Sequence, residues 1–172
     1  MVILLKIILK GKDNYKIKKR TSQPSILRDP RFGKHQFAYL PTQNIKLHYV
    51  EKGDRNKPMI LCLHGFPECW YHYKDLLENL SDQFWVVAVD MRGYGESDKP
   101  TKTNKYGMDY LVADVKDLIK SLTNRKCILV SHDWGGAVAW AAVTKHPNLF
   151  SKHVSINGPH PQVAGERRSS SI

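Results

Sequence analysis

A chain of 172 residues can bury one sizeable core but not two comfortable ones. Its formal charge of +11 is local, because residues 1–34 hold ten Lys and Arg against Asp13 and Asp29 and the remainder is close to neutral. With no interleaved basic and aromatic stripe, a nucleic-acid-binding module is excluded and no nucleic-acid partner is expected. Three cysteines, Cys62, Cys69 and Cys127, are odd in number and fit no metal-ligand spacing, which predicts buried free thiols and neither a disulfide framework nor a zinc site.

The chain opens with MVILLKIILK, about half of the roughly 20 apolar residues that a membrane span needs. Helped by Lys12, Lys16, Lys18, Lys19 and Arg20, residues 1–20 could hold the protein at a membrane surface with the rest in the cytoplasm. A basic leader without a membrane role fits the same residues equally well. No small-residue cleavage site follows, so a removable signal is not expected. After the linker TSQPSILRDPRFGKH, the runs QFAYL and IKLHYVE alternate as an antiparallel edge pair should.

MILCLHG follows as a continuous apolar strand, then a helix over YHYKDLLENL with Tyr73, Leu76, Leu77 and Leu80 on one face. FWVVAVD is the next buried strand, and the glycine-bearing loop MRGYGESDKPTKTNKYG leads to a helix over MDYLVADVKDLIKSL. Strand KCILVS, helix WGGAVAWAAVTKHP and strand FSKHVSIN complete the series. This alternation predicts an α/β fold whose mostly parallel sheet carries helices on both faces. The expected organisation is a basic segment 1–34, the α/β domain 35–161 and an irregular tail 162–172.

Ligands of such sheets bind beyond the carboxyl ends of the strands, which gathers His64–Pro67, Asp90–Gly95 and Asp133–Trp134 at one rim. In VSHDWGG a strand turns sharply into a helix, and the positions two before and two after Asp133 are the small residues Ser131 and Gly135. That spacing is a nucleophile elbow, with Gly136 allowing the helix to pack closely on the sheet. The alternative for Asp133 is a helix cap. Ser131 is excluded as the nucleophile because its own flanking positions, Leu129 and Asp133, are not small.

A carboxylate nucleophile attacks sp³ carbon bearing a leaving group and leaves an ester for water to hydrolyse. The turn HGFPE, residues 64–68, can aim the Phe66 amide at the corner to which the Trp134 amide also points, forming an oxyanion hole. Pro67 is expected to be cis. His64 and Gly65 read as structural members of this turn, and Asp90, Arg92, Gly93 and Gly95 as residues that fix a loop.

HGFPECW, VVAVDMRGYGESDKP, VSHDWGG and INGPHP, in this order, resemble the epoxide hydrolases of the α/β-hydrolase fold, and RDPRFGKH is similar to a segment of their membrane-anchored animal subgroup. The resemblance runs from Arg28 to Pro161. It implies that Asp133 opens the oxirane, that Phe66 and Trp134 supply the oxyanion-hole amides, and that no cofactor or metal takes part. The implied substrate is a small-molecule epoxide, often lipid-derived, and the product a vicinal diol. A haloalkane-type dehalogenase of the same fold is the alternative, but haloalkane dehalogenases usually carry a halide-binding Asn at the place of Phe66, and fluoroacetate dehalogenases usually carry Arg at that of Trp134.

The family continues beyond NGPHP into a helical cap with tyrosines, two further strands, an acidic relay residue and a water-activating histidine. This sequence has QVAGERRSSSI there instead. It is therefore expected to be the N-terminal half of the fold, incomplete for turnover, since a missing general base costs roughly 10²–10⁴ in rate. A non-catalytic truncated isoform is the corresponding alternative.

Overall fold

The computed structural model describes residues 22–160. Six strands form one sheet: β1 (Lys34–Leu40), β2 (Ile45–Lys52), β3 (Met59–Leu63), β4 (Trp85–Val89), β5 (Cys127–His132) and β6 (Phe150–Ile156). Their spatial order is β1-β2-β4-β3-β5-β6. β1 and β2 are antiparallel to their neighbours, and the pairs β3–β4, β3–β5 and β5–β6 are parallel. The chain thus builds the expected antiparallel ribbon at one edge and a parallel sheet beside it.

The central strands show no polar alternation because both of their faces are covered. Ile60, Cys62, Val86, Ala88 and Val130 point to one side, where they pack with Leu77 of α1 (Lys74–Asn79) and with Trp70 and Tyr73. Leu61, Leu63, Val87, Val89 and Leu129 point to the other, under α2 (Met108–Leu122) and α3 (Trp134–Lys145). Leu111, Val115 and Leu118 of α2 are buried as their spacing predicts, and α3 approaches the sheet through Gly135, Gly136, Val138, Ala139 and Ala142.

Three details depart from or add to the sequence reading. The helix expected over residues 71–80 is a 3₁₀ turn at Trp70–Tyr73, closed by the His72 amide donating to the Cys69 carbonyl three residues back and anchored by the Asp90 carboxylate on the Trp70 amide, followed by a short α1. The basic segment before β1 is partly docked: Phe32 is buried against Trp70 and Tyr71, and Arg28 pairs with Glu96. Asp114, on the inward face of α2, is buried against the Arg92 guanidinium in a two-pronged ion pair of 2.6 and 2.7 Å.

Cys62 and Cys127 are buried free thiols and Cys69 is partly buried, with burial pushing all three thiols up. No described helix is long and apolar enough to cross a membrane. Residues 1–20, assigned to surface association, and the tail 162–172 lie outside the described residues.

Candidate active site

The backbone turns at Asp133 with φ 50° and ψ −119°, in the left-handed half of conformational space that a non-glycine residue rarely occupies. The strand delivers Asp133 to the rim, α3 leaves at once, and the space between them has room only for small residues. A Cβ on Gly135 would meet the Leu63 carbonyl and sit 2.5 Å from that of His64. Ser131 is fully buried, and its Oγ lies 2.9 Å from His153 Nε2 rather than at the rim. The elbow geometry expected from the spacing is present.

The Asp133 side chain makes no N-cap hydrogen bond into the first turn of α3. It turns across the rim instead, and the Phe66 amide donates to its Oδ1 at 3.0 Å. Hydrogen bonding by that amide, with the Trp134 amide and the nearby His132 acting in the same sense, holds the exposed carboxyl below the usual aspartate range. The carboxylate is therefore ionised and accessible, the state a nucleophile needs. Two exposed rings, Phe66 and Trp134, stand beside it.

The opposing turn is built for this contact. The peptide Phe66–Pro67 is cis, and the Glu68 amide donates to the Gly65 carbonyl at 3.1 Å, closing a tight turn of the kind that places a cis proline third. Gly65 must lack a side chain because a Cβ there would lie 2.6 Å from Asp133 Cβ. His64 is buried with both ring nitrogens engaged: Nδ1 donates to the Gly65 carbonyl at 2.8 Å and Nε2 accepts from the Met91 amide at 3.1 Å. Burial lowers its pKa, so it stays neutral and has no free position for base catalysis.

Sequence reasoning missed Glu68, His72, His132 and Tyr94. The Glu68 carboxylate accepts from the Gly65 amide at 3.0 Å, and the Nδ1 atoms of His132 and His72 lie 3.1 and 3.0 Å from its two oxygens. Burial raises the Glu68 carboxyl, and its hydrogen bonds outweigh that and lower it. This brace fixes the peptide that contacts Asp133. Glu68 was visible as the last residue of HGFPE, three after Gly65, whereas the two histidines meet only in space. Tyr94 packs its ring on His64 at 4.9 Å and feels the charge of Asp133.

An α/β sheet with a sharp strand-to-helix elbow after the fifth strand, facing a turn that follows the third, is the architecture of a hydrolase-type rim. A sequence model of the alpha/beta hydrolase fold matches residues 58–169, and the chain belongs to that family. It is 44% identical over 147 residues to epoxide hydrolase 4 of Mus musculus, covering 86% of this chain and 41% of that protein. It is 36% identical over 162 residues to epoxide hydrolase 1 of Caenorhabditis elegans, covering 93% and 38%. Among solved structures, a point mutant of an epoxide hydrolase from Bacillus megaterium, complexed with its diol product, superposes with a TM-score of 0.73 at 34% identity. That match covers 79% of this chain and 47% of the other. The chain thus spans less than half the length of these relatives.

Proposed function

We propose that this chain carries the attacking half of an epoxide hydrolase, with Asp133 as the nucleophile. The observation that carries the proposal is the elbow itself: an ionised, exposed carboxylate at φ 50°, one of whose oxygens already accepts the Phe66 amide. That bond differentiates the two oxygens. Oδ1, held by the Phe66 amide, is the oxygen on which charge collects, and Oδ2 is the oxygen assigned to attack.

In the first step the Oδ2–carbon bond forms, the ring carbon–oxygen bond breaks, and the alkoxide released takes a proton from an acid or from water. In the second, water adds to the carboxyl carbon of the ester, and negative charge on Oδ1 is met by the Phe66 and Trp134 amides. Collapse frees the diol and returns a carboxylate that has gained one oxygen from water. The proton of that water needs a base, and His64 cannot serve because both of its nitrogens are engaged. The exposed Phe66 and Trp134 rings suit an epoxide with an apolar substituent, such as a lipid-derived one.

The test is to incubate the chain with a small aryl epoxide in H₂¹⁸O and to examine the Asp133 peptide by mass spectrometry. The expected result is one epoxide mass on Asp133 or ¹⁸O in its carboxylate, and neither in Asp133→Asn. An adduct elsewhere, or none under any condition, overturns the proposal. Halide release from a haloalkane, with no ester or diol from any epoxide, would turn it toward a dehalogenase. We also propose that residues 1–20 bind an anionic membrane surface; co-sedimentation with phosphatidylserine vesicles tests this, and full recovery in the supernatant at low salt would refute it.

A further inference from the structure

A second group of titratable side chains lies where the antiparallel ribbon meets the loop after β4, away from the elbow. His48, on β2, is fully buried, and its Nδ1 lies 2.8 Å from Asp90 Oδ2, so the carboxylate fixes the proton on Nδ1 and leaves Nε2 as a bare lone pair. Nε2 lies 2.9 Å from His35 Nδ1 on β1 and 3.7 Å from Glu96 Oε1 on the loop. His35 Nδ1 and Glu96 Oε1 are 3.9 Å apart, closing a triangle of three ligand-type atoms.

The centre of that triangle is about 2.1 Å from each corner, the length of a zinc–imidazole or zinc–carboxylate bond. We propose that His35, His48 and Glu96 form a binding site for a divalent first-row transition ion such as Zn²⁺, with water completing the coordination. Two imidazoles and one carboxylate suit such an ion rather than Ca²⁺ or Mg²⁺, which take oxygen ligands.

Two of the three ligands are held from outside the triangle. Asp90 orients His48, and Arg28 takes the other oxygen of Glu96 at 2.7 Å, leaving Oε1 for the ion. The Glu96 amide donates to Asp90 Oδ2 at 2.9 Å, which ties the loop to the same carboxylate. His35 now donates its Nδ1 proton to His48, and binding the ion moves that proton to Nε2 of the same ring. The rings lie 26° apart, so convergence on one ion requires His35, at the sheet edge, to rotate slightly.

The Glu68, His72 and His132 group is less suited. Its two histidines address different carboxylate oxygens, one of which also holds the Gly65 amide, and its rings are only 13° from parallel.

The decisive experiment titrates the metal-free full chain with Zn²⁺ in competition with a chromophoric chelator. It uses the wild type, His35→Gln, Glu96→Gln and His72→Gln, each checked for folding by circular dichroism. One ion per chain is expected, with affinity reduced about 100-fold or more by His35→Gln or Glu96→Gln and unchanged by His72→Gln. Zinc-edge X-ray absorption of the His72→Gln protein should show two imidazoles and oxygen ligands at about 2.0–2.1 Å, a readout that does not depend on the ligand variants folding. Absence of stoichiometric binding, loss of binding in His72→Gln, or full retention in both His35→Gln and Glu96→Gln would overturn the site.

Discussion

Asp90 and Asp133 are the same residue type at equivalent places, each at the carboxyl end of a parallel strand and each followed by a glycine-bearing stretch. Their environments make them opposites. Asp90 is 1% exposed and saturated by His48 and by the Trp70 and Glu96 amides. Burial pushes its carboxyl up, and those hydrogen bonds outweigh burial and bring it down. Asp133 is exposed, and its carboxyl is held only at the rim, by the Phe66 amide on Oδ1 and by the Trp134 amide. A buried carboxylate bonded on both oxygens organises a loop, whereas one that is ionised and accessible at the rim can attack.

Exchanging the two roles by mutation should separate them. Asp133→Asn is expected to abolish the ester adduct seen by mass spectrometry and to leave the unfolding midpoint where it was. Asp90→Ala should instead cost about 3–5 kcal/mol in urea unfolding, because it strands His48 and two amides in the interior. Equal destabilisation by both substitutions would break the contrast.

Gly135→Ala should cost about 2–3 kcal/mol by forcing α3 away from the Leu63 and His64 carbonyls, and calorimetry can measure it. Gly65→Ala acts on both geometry and stability. Because Asp133 Cβ is fixed by the backbone, the two turns must move apart, which should slow ester formation about 10²-fold and also lower the melting temperature.

The smallest effect concerns pH. Since its amide partners hold Asp133 below the ordinary value of 3.8, its carboxylate stays ionised as pH falls through the usual carboxylate range. Ester formation should therefore decline only below that value, and a ¹³C titration of the Asp133 carboxyl should have its midpoint there. A midpoint above 3.8 would mean that the Phe66 contact is not made in solution.

Much of the fold was legible because its signals are local. Continuous apolar runs identified β3, β4 and β5, whose two buried faces need apolar residues on both sides. The Ser131–Asp133–Gly135 spacing identified the elbow because only small residues fit beside that turn. The 3₁₀ turn at Trp70 was not legible, since the carboxylate that holds its amide is 20 residues away. Nor was the pairing of Asp114 with Arg92, which placed a charge on the inward face of α2.

The sequence by itself determined the order of strands and helices, the elbow and its carboxylate, because hydrophobic period and turn sterics act between near neighbours. Only the tertiary structure decided which partners hold each of the two aspartates. It also decided that Glu68 braces the turn opposite Asp133 and that His35, His48 and Glu96 converge. Those outcomes depend on hydrogen-bond partners brought together by strand pairing across the sheet, and a linear spacing carries no record of such partners.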